Sequence, residues 1–227
     1  MLVELNHVSR SFEGNQRRVL DDLSFNITAG STVAVTGPSG SGKSTLLNLI
    51  GILDFPVSGE VLIDGKATHS LAPKDQVEIR NNRIGFVFQS HLLLPQLSVM
   101  ENILLPVLPQ EKTRRDKAPG KAKNLLKEVG LADRADSYPS EMSVGECQRV
   151  AVVRALINDP ELILADEPTG SLDFDTAEKL GDMLLELRKN HKFSLVVVTH
   201  SSDLARRMEI HYKLVNGKLL SDEPAQP

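Results

Sequence analysis

The chain has 227 residues, of which 25% are charged and 41% hydrophobic, and its formal net charge is -4. This composition is typical of one large globular domain or of a core with a small insert, and the slight acidic excess argues against nucleic acid as a partner. The single cysteine, Cys147, excludes an internal disulfide and favours a reducing compartment.

The ends and apolar runs of the chain give no sign of membrane insertion. Residues 1–6 lack a basic region followed by an apolar stretch, so we expect no signal peptide. The most apolar stretch, residues 91–109, is interrupted by three prolines and falls short of the roughly 18 apolar residues that a membrane span needs. A role at a membrane would therefore require docking on another protein.

Three segments in the first third of the chain have the pattern of β-strands. They are residues 2–8, 23–27 and 59–63, and the last two are next to the turn pairs Ala29-Gly30 and Asp64-Gly65. We expect residues 2–8 to form an edge strand. Together the segments predict an antiparallel β part.

Between these strands lies a phosphate-binding motif. It reads Gly37-Pro38-Ser39-Gly40-Ser41-Gly42-Lys43-Ser44, the P-loop pattern G-x-x-x-x-G-K-S. A β-rich run over 31–36 precedes it and a helical pattern over 44–53 follows, which is the context that the motif needs. The glycines let backbone N–H groups point at an anion, Lys43 adds a charge, and Ser44 offers a hydroxyl to Mg²⁺. The alternative, a glycine-rich linking turn, gives no reason for the Lys-Ser pair.

Polar side chains follow three further apolar runs. Residues 84–88, 162–165 and 194–198 predict buried parallel strands, and Gln89, Asp166 and His200 come after them. Because parallel strands end at one edge of a sheet, we expect these residues to converge on the P-loop. Asp166 would hold Mg²⁺ through water. Glu167, which follows it, would orient or deprotonate a water that attacks the γ-phosphorus. An acidic turn and a structural histidine are the alternatives, and the shared edge favours the functional interpretation.

Residues 91–157 are rich in helical patterns and interrupt the α/β alternation, which predicts an inserted helical subdomain. The charged segment 111–123 within it is either a phosphate-binding patch or a solvated loop. We favour the loop, because acidic residues interleave with the cations and no aromatic residue is present for base stacking. The cations that suggest such a patch are Lys112, Arg114, Arg115 and Lys117. Helices are expected over 176–189 and 202–208, and residues 221–227 are expected to form a flexible tail.

Ser143 begins a helix that is expected to run to Asn158. Glu146 lies three residues after Ser143, the spacing of a capping box. This spacing does not explain Gly145, which lowers helix propensity but exposes backbone N–H groups at the positive end of the helix.

The combined motifs resemble an ATP-binding-cassette (ABC) ATPase over residues 2–220. The segments that carry the resemblance are the P-loop, Gln89, Met-Ser-Val-Gly-Glu-x-Gln-Arg, Leu-Ala-Asp-Glu-Pro-Thr-Gly-Ser-Leu-Asp and Thr-His. The resemblance implies an α/β P-loop NTPase core with an antiparallel β subdomain, a helical subdomain inserted at about 91–157, and a head-to-tail homodimer with two ATPs at its interface.

The resemblance also implies roles for individual residues. ATP contacts are implied for Phe12, Gly37, Pro38, Ser39, Gly40, Ser41, Gly42, Lys43, Ser44, Thr45, Ser143 and Gly145. Ligands of Mg²⁺ are implied for Ser44, Gln89 and Asp166, a catalytic base for Glu167 and a γ-phosphate sensor for His200. Phe12 would stack on adenine, and Ser143 and Gly145 would contact the γ-phosphate held by the other subunit. Residues 171–173 are similar to the D-loop that crosses the dimer interface.

One residue departs from the family pattern. The signature is usually Leu-Ser-Gly-Gly followed by Gln or Glu, and Val144 stands at the first of these glycines. Its β-branched side chain restricts the backbone and adds bulk beside a phosphate site. Ser143 and Gly145, the two implied contacts, remain, so we expect activity to survive.

Within the family, the segments 88–95 and 165–173 are similar to the lipoprotein-releasing and macrolide-exporter type. This implies an ATPase at the cytoplasmic face of the inner membrane that drives lipoproteins towards a periplasmic carrier, with a permease docked near residues 89–105. An exporter of macrolides or peptides, or a cell-division complex, is the first alternative. A non-transport ABC protein acting on DNA or ribosomes is the second, and it is disfavoured because the chain has one cassette and no sustained heptads.

Overall fold

The computed structural model describes residues 2–11 and 18–221. Its strands are β1 (Val3–Arg10), β2 (Leu20–Ile27), β3 (Thr32–Thr36), β4 (Ser58–Ile63), β5 (Lys66–Ala67), β6 (Ile84–Val87), β7 (Leu162–Asp166), β8 (Ser194–Val198), β9 (Ile210–Val215) and β10 (Lys218–Ser221). Its helices are α1 (Lys43–Ile50), α2 (Pro73–Arg83), α3 (Val99–Leu104), α4 (Lys112–Glu128), α5 (Val144–Leu156), α6 (Phe174–His191) and α7 (Ser202–Arg206).

An antiparallel sheet forms the first layer, with the strand order β2-β1-β4-β5. The predicted antiparallel part is therefore present, but the expectation that residues 2–8 form an edge strand is wrong. β1 pairs with β2 through Leu5 and Phe25 and with β4 through Leu5 and Val61. Alternation along a strand identifies its buried face and carries no information about how many neighbours it has.

A mostly parallel sheet forms the second layer, with the order β10-β9-β3-β8-β7-β6 and β10 alone antiparallel to its neighbour. Its two faces belong to different clusters of buried side chains. Val196 and Val198 pack with α1 and the antiparallel sheet, whereas Leu195 and Val197 pack with the helices on the other side. Both faces are covered, which is why β3, β6, β7 and β8 are mostly apolar.

The charged segment 111–123 is not the solvated loop that the sequence suggested. Most of it belongs to α4, whose first turns are exposed and whose later residues Ala118, Ala122, Leu125 and Leu126 are buried. The buried positions follow helical spacing, and they pack with α3 and α5. This packing outweighs the weak helix propensity of Pro119 and its glycine neighbour.

Other elements were not predicted or had different bounds. Neither α2, which contains no buried residue, nor β9 and β10 were predicted from the sequence. Ser221, expected in the tail, pairs with Tyr212 at the end of β10, and the rest of the predicted tail lies outside the described residues. Within the described residues, no helix is both long and apolar enough to cross a membrane.

We propose that residues 91–157 form the predicted helical subdomain, since α3, α4 and α5 pack on one another. Asn102, which is fully buried, connects α3 to the segment that precedes it. Its Oδ1 accepts a hydrogen bond from Leu94 N at 2.7 Å. Its Nδ2 lies 3.1 Å from Leu94 O and 3.0 Å from both Leu97 O and Ser98 O.

Replacing this amide is expected to destabilise the protein. Asn102→Ala leaves a buried N–H and several carbonyls without partners, so we expect the free energy of unfolding to fall by about 2–3 kcal/mol. Urea denaturation followed by circular dichroism measures the change. Asn124→Ala, at an exposed position of α4, is the control and should stay within about 0.5 kcal/mol of the wild type. A similarly small change in the free energy of unfolding of Asn102→Ala would contradict a stabilising role for these hydrogen bonds.

Candidate functional site

A cavity of about 580 Å³ opens at the carboxyl edge of the parallel sheet. Its lining includes Ser39, Gly40, Gly42, Lys43, Ser44, Thr45, Gln89, Asp166, Glu167 and His200. The structure thus brings together most residues of the predicted site. Register explains the convergence, because Val198 of β8 pairs with both Val35 of β3 and Asp166 of β7. The residues that follow β3, β7 and β8 therefore lie at the same height along the sheet.

The P-loop has the backbone that its glycines predict. Gly37, Gly40 and Gly42 have φ values of 148°, 72° and 105°, in the region that disfavours other residues. Gly37 is further constrained, because a Cβ on it would lie 2.3 Å from Leu214 O. The loop ends where α1 begins, at Lys43, so the amino end of a helix faces the cavity.

Lys43 is buried at the base of this loop. Its Nζ donates hydrogen bonds to Gly37 O at 2.9 Å and Pro38 O at 3.1 Å, and it lies 3.1 Å from Nε2 of His200. The same Nζ is 4.0 Å from Oε1 of Glu167. The positive charge is thus held in the cavity by carbonyl groups, which leave it able to pair with an anion.

Glu167 occupies a constrained position. Its φ of 45° places a non-glycine residue in the left-handed region, and its N–H donates to Val198 O at 2.9 Å. Oε2 accepts a hydrogen bond from His200 N at 3.0 Å. Oε1 is buried and has no hydrogen-bond partner, although Nε2 of His200 lies 3.3 Å away. Strained backbone and unpaired buried oxygens are typical of functional sites. Glu167 therefore borders the cavity with an acceptor oxygen that no protein group satisfies.

The three predicted metal ligands all border the cavity. Ser44, Gln89 and Asp166 offer a hydroxyl, an amide oxygen and a carboxylate, the oxygen donors that Mg²⁺ prefers. In the described part of the chain, no group of three His, Cys, Asp or Glu side chains is placed to hold a metal. The set therefore suits a cation that is held by few protein ligands and completes its coordination with phosphate and water.

Ser143 and Gly145 lie apart from this cavity, at the amino end of α5. The predicted capping box is present: Ser143 Oγ accepts from Glu146 N at 3.2 Å, and Oε2 of Glu146 lies 2.9 Å from both the N and the Oγ of Ser143. These hydrogen bonds from Ser143, with the nearby charge of Arg134, hold the pKa of Glu146 below its usual value.

Gly145 differs from its expectation in one respect. The residue itself is buried, and a Cβ on it would lie 2.6 Å from Cγ2 of Thr176. Close packing against α6 therefore gives glycine a structural reason at this position. Its neighbour Val144 is 51% exposed, so the unusual valine does not disturb the core. Phe174, at the start of α6, is also exposed.

The sequence did not indicate every residue at the site. Val19 and Gly170 also line the main cavity. Pro38 and Ser41 instead line an adjoining cavity of about 320 Å³, together with Arg18 and other residues. The apolar side chain of Val19 gave no reason to predict a place at the site. Gly170 belongs to the motif that follows Glu167. A Cβ on Gly170 would lie 3.0 Å from Nε2 of Gln89. The predicted adenine contact, Phe12, lies outside the described residues.

Comparison with known proteins shows the family to which the chain belongs. Residues 20–170 match the family model described as ABC transporter. The chain is 44% identical over 222 residues to the lipoprotein-releasing system ATP-binding protein LolD of Syntrophus aciditrophicus, covering 97% of this chain and 99% of the relative. It is 46% identical over 214 residues to the LolD protein of Xanthomonas oryzae pv. oryzae, covering 94% and 87%.

Solved structures show the same fold. A dimeric post-hydrolysis state of the ATP-binding cassette MJ0796, bound to ADP and Pi, is 38% identical and covers all of both chains with a TM-score of 0.87. Another dimeric structure of MJ0796, described as a bacterial ABC transporter cassette, gives a TM-score of 0.88 at the same identity. The fold class expected from the sequence is confirmed, and the chain belongs to the ABC transporter family as an ATP-binding, ATP-hydrolysing subunit.

Proposed function

We propose that this ATPase drives the release of lipoproteins from the inner membrane to a periplasmic carrier. The observation that carries the proposal is similarity at 42–46% identity, over most of each chain, to proteins named as ATP-binding subunits of lipoprotein-releasing systems. We place the subunit at the cytoplasmic face of that membrane, where its permease would dock. The similarity favours this function over a macrolide or peptide exporter.

The residues around the cavity support a distinct role for each group in ATP hydrolysis. The P-loop amides and Lys43 bind the outer phosphates. Ser44, Gln89 and Asp166 would hold Mg²⁺, and that ion would neutralise the charge that develops on the phosphates. Oε1 of Glu167 accepts the proton of the attacking water. The side chain of His200, which is 52% exposed and within 3.1 Å of Lys43 Nζ, contacts the γ-phosphate.

A second subunit completes the site. Ser143 and Gly145 do not line the cavity of their own chain, and the exposed apolar side chains Val144 and Phe174 lie at the amino ends of α5 and α6. We propose that this face packs on the nucleotide bound by a second copy, in a head-to-tail dimer. The hydroxyl of Ser143, which bonds to Glu146 in the single chain, would then turn to the γ-phosphate.

Replacing the proposed base tests the catalytic assignment. Glu167→Gln cannot take a proton from water but leaves the P-loop intact, so ATP hydrolysis should fall at least about 100-fold while ATP binding persists. The variant should then accumulate as an ATP-bound dimer on size-exclusion chromatography with ATP and Mg²⁺. Glu161→Gln, outside the cavity and paired with Arg83, is the control and should behave as the wild type. Near-normal hydrolysis by Glu167→Gln would remove Glu167 from this role.

A groove between the parallel sheet and the helical segment is our candidate for the permease site. We call it the docking groove; its volume is about 480 Å³ and its lining comprises Leu53, Val77, Arg80, Asn81, Ile84, Gly85, Phe86, Phe88, Leu92, Pro106, Pro109, Arg154, Ala155 and Asn158. Most of these side chains are apolar, and none is acidic. An exposed apolar groove is typical of a partner site, and a short apolar helix of the permease fits it.

The docking groove differs in extent from the predicted range 89–105. Of that range, only Leu92 lines it, and most of the remaining lining comes from α2, β6 and α5. Leu92 and Leu94 are exposed whereas Leu93 is buried, so these three leucines do not all belong to the core. Leu97 is half-buried and lies outside the groove lining.

A charge in the groove should uncouple docking from ATP binding. Leu92→Glu should leave ATP binding by the isolated subunit unchanged, and it should reduce co-purification with the co-expressed permease subunits and lipoprotein release from membrane vesicles by at least about tenfold. Leu220→Glu is a matched control, since Leu220 and Leu92 are 52% and 53% exposed but Leu220 lies on β10. Normal association of the Leu92→Glu variant would place the permease elsewhere.

A further inference from the structure

The segment that follows Gln89 contains a turn with an unfavourable backbone. His91 and Leu92 are consecutive and have φ values of 45° and 52°. Neither residue is glycine, and the left-handed conformation is costly for a side chain such as that of Leu92. The turn contains a local hydrogen bond from Leu92 N to Ser90 O, and Leu93 N donates to Nδ1 of His91 at 3.2 Å.

An arginine from α5 holds both residues of this turn. Arg154 donates from Nη1 to Leu92 O and from Nη2 to His91 O, each at 2.6 Å. Among the described residues Arg154 forms no ion pair with a carboxylate. Burial lowers its pKa, and burial together with the charge of Arg154 lowers the pKa of His91. The side chain thus carries an uncompensated charge whose partners are the two backbone carbonyls of the turn.

The same helix, α5, also contacts the residue that precedes Gln89. Gln148, which is fully buried, donates from Nε2 to Phe88 O at 2.9 Å. Contacts from α5 therefore fix the residue directly before Gln89 and the residues two and three positions after it. Leu92 and Arg154 also line the docking groove, so one turn joins that groove to a residue of the ATP site.

We propose that Arg154 is a positioning residue, which stabilises the left-handed turn at His91 and Leu92 and thereby fixes Gln89 at the ATP site and Leu92 in the docking groove. The inference rests on the proposed function, because it assigns Gln89 to the hydrolytic site. Guanidinium suits this task, because its rigid planar fork presents two N–H donors side by side, whereas the donors of an ammonium group rotate on a flexible stem.

Amide hydrogen exchange, measured on the full chain without nucleotide, tests directly whether Arg154 stabilises the turn. In Arg154→Ala, the amides of residues 90–93 should exchange at least about tenfold faster, since two left-handed residues lose their support. Lys121→Ala is the control: Lys121 also donates to a carbonyl at the end of α5, Ile157 O at 2.8 Å, but it does not touch the turn. Unchanged exchange over 90–93 in Arg154→Ala would overturn the proposal.

Steady-state kinetics tests the consequence for hydrolysis. Arg154→Ala should lower kcat about tenfold and leave the KM for ATP within about twofold, since the P-loop is untouched. Adding His91→Gly and Leu92→Gly to Arg154→Ala should restore most of kcat, because glycine adopts the turn without support. A role in packing alone would not be rescued in this way, and an unchanged kcat or a failed rescue would contradict the proposal.

Two further outcomes distinguish a failure of this proposal from a failure of the proposed function. If the wild type hydrolyses no ATP, the proposed function fails, and the exchange rates alone decide whether Arg154 holds the turn. If Arg154→Ala does not fold, Arg154→Lys takes its place. Its exchange rates over 90–93 should lie between those of the wild type and those of a released turn, because the flexible ammonium side chain lacks the rigid fork that holds both carbonyls. Wild-type exchange in Arg154→Lys would then overturn the assignment.

Discussion

The hydrogen-bonded register of the parallel strands is the constraint on which the ATP site depends. Val87 of β6 pairs with Ala165 of β7, and Asp166 of β7 pairs with Val198 of β8, which also pairs with Val35 of β3. The four strands therefore end within about one residue of a common level. A slip of one residue would turn each terminal side chain to the opposite face of the sheet. The pairing register that fills the two cores therefore also sets the position of the polar groups.

The site keeps polar groups and backbone conformations that a stable core would avoid. Oγ of Ser41 and Oε1 of Glu167 are buried without hydrogen-bond partners, and Lys43 is buried among carbonyl oxygens. Each arrangement costs free energy in the absence of a ligand. Glu167 adds a left-handed backbone. The surrounding strands, whose side chains are almost entirely buried, offset this cost, so the groups remain placed for an anion and a water.

Local signals predicted much of this structure, and long-range packing decided the rest. The strand–loop–helix around Lys43 and the capping box at Ser143 depend on neighbouring residues, so the sequence alone predicted them. The internal position of β1 depends on two distant partners and could not be predicted. The helix α4 contains Pro119 and many charges, and only its packing on α3 and α5 explains it. For the site, strand ends predicted Gln89 and His200, whereas Val19 lines the cavity only because the fold brings it there.

The helix α5 links three surfaces that the cycle of such an ATPase must coordinate. Its amino end carries Ser143 and the proposed dimer face, its middle holds Phe88 through Gln148, and its carboxyl end holds the turn through Arg154. A helix of 13 residues is about 20 Å long and is stiff over that length. A small rotation that brings Ser143 towards a second subunit must therefore also move the side chains that hold the chain around Gln89. Closure of the dimer and occupation of the docking groove would thus act on one rigid body, and this coupling needs no other moving part.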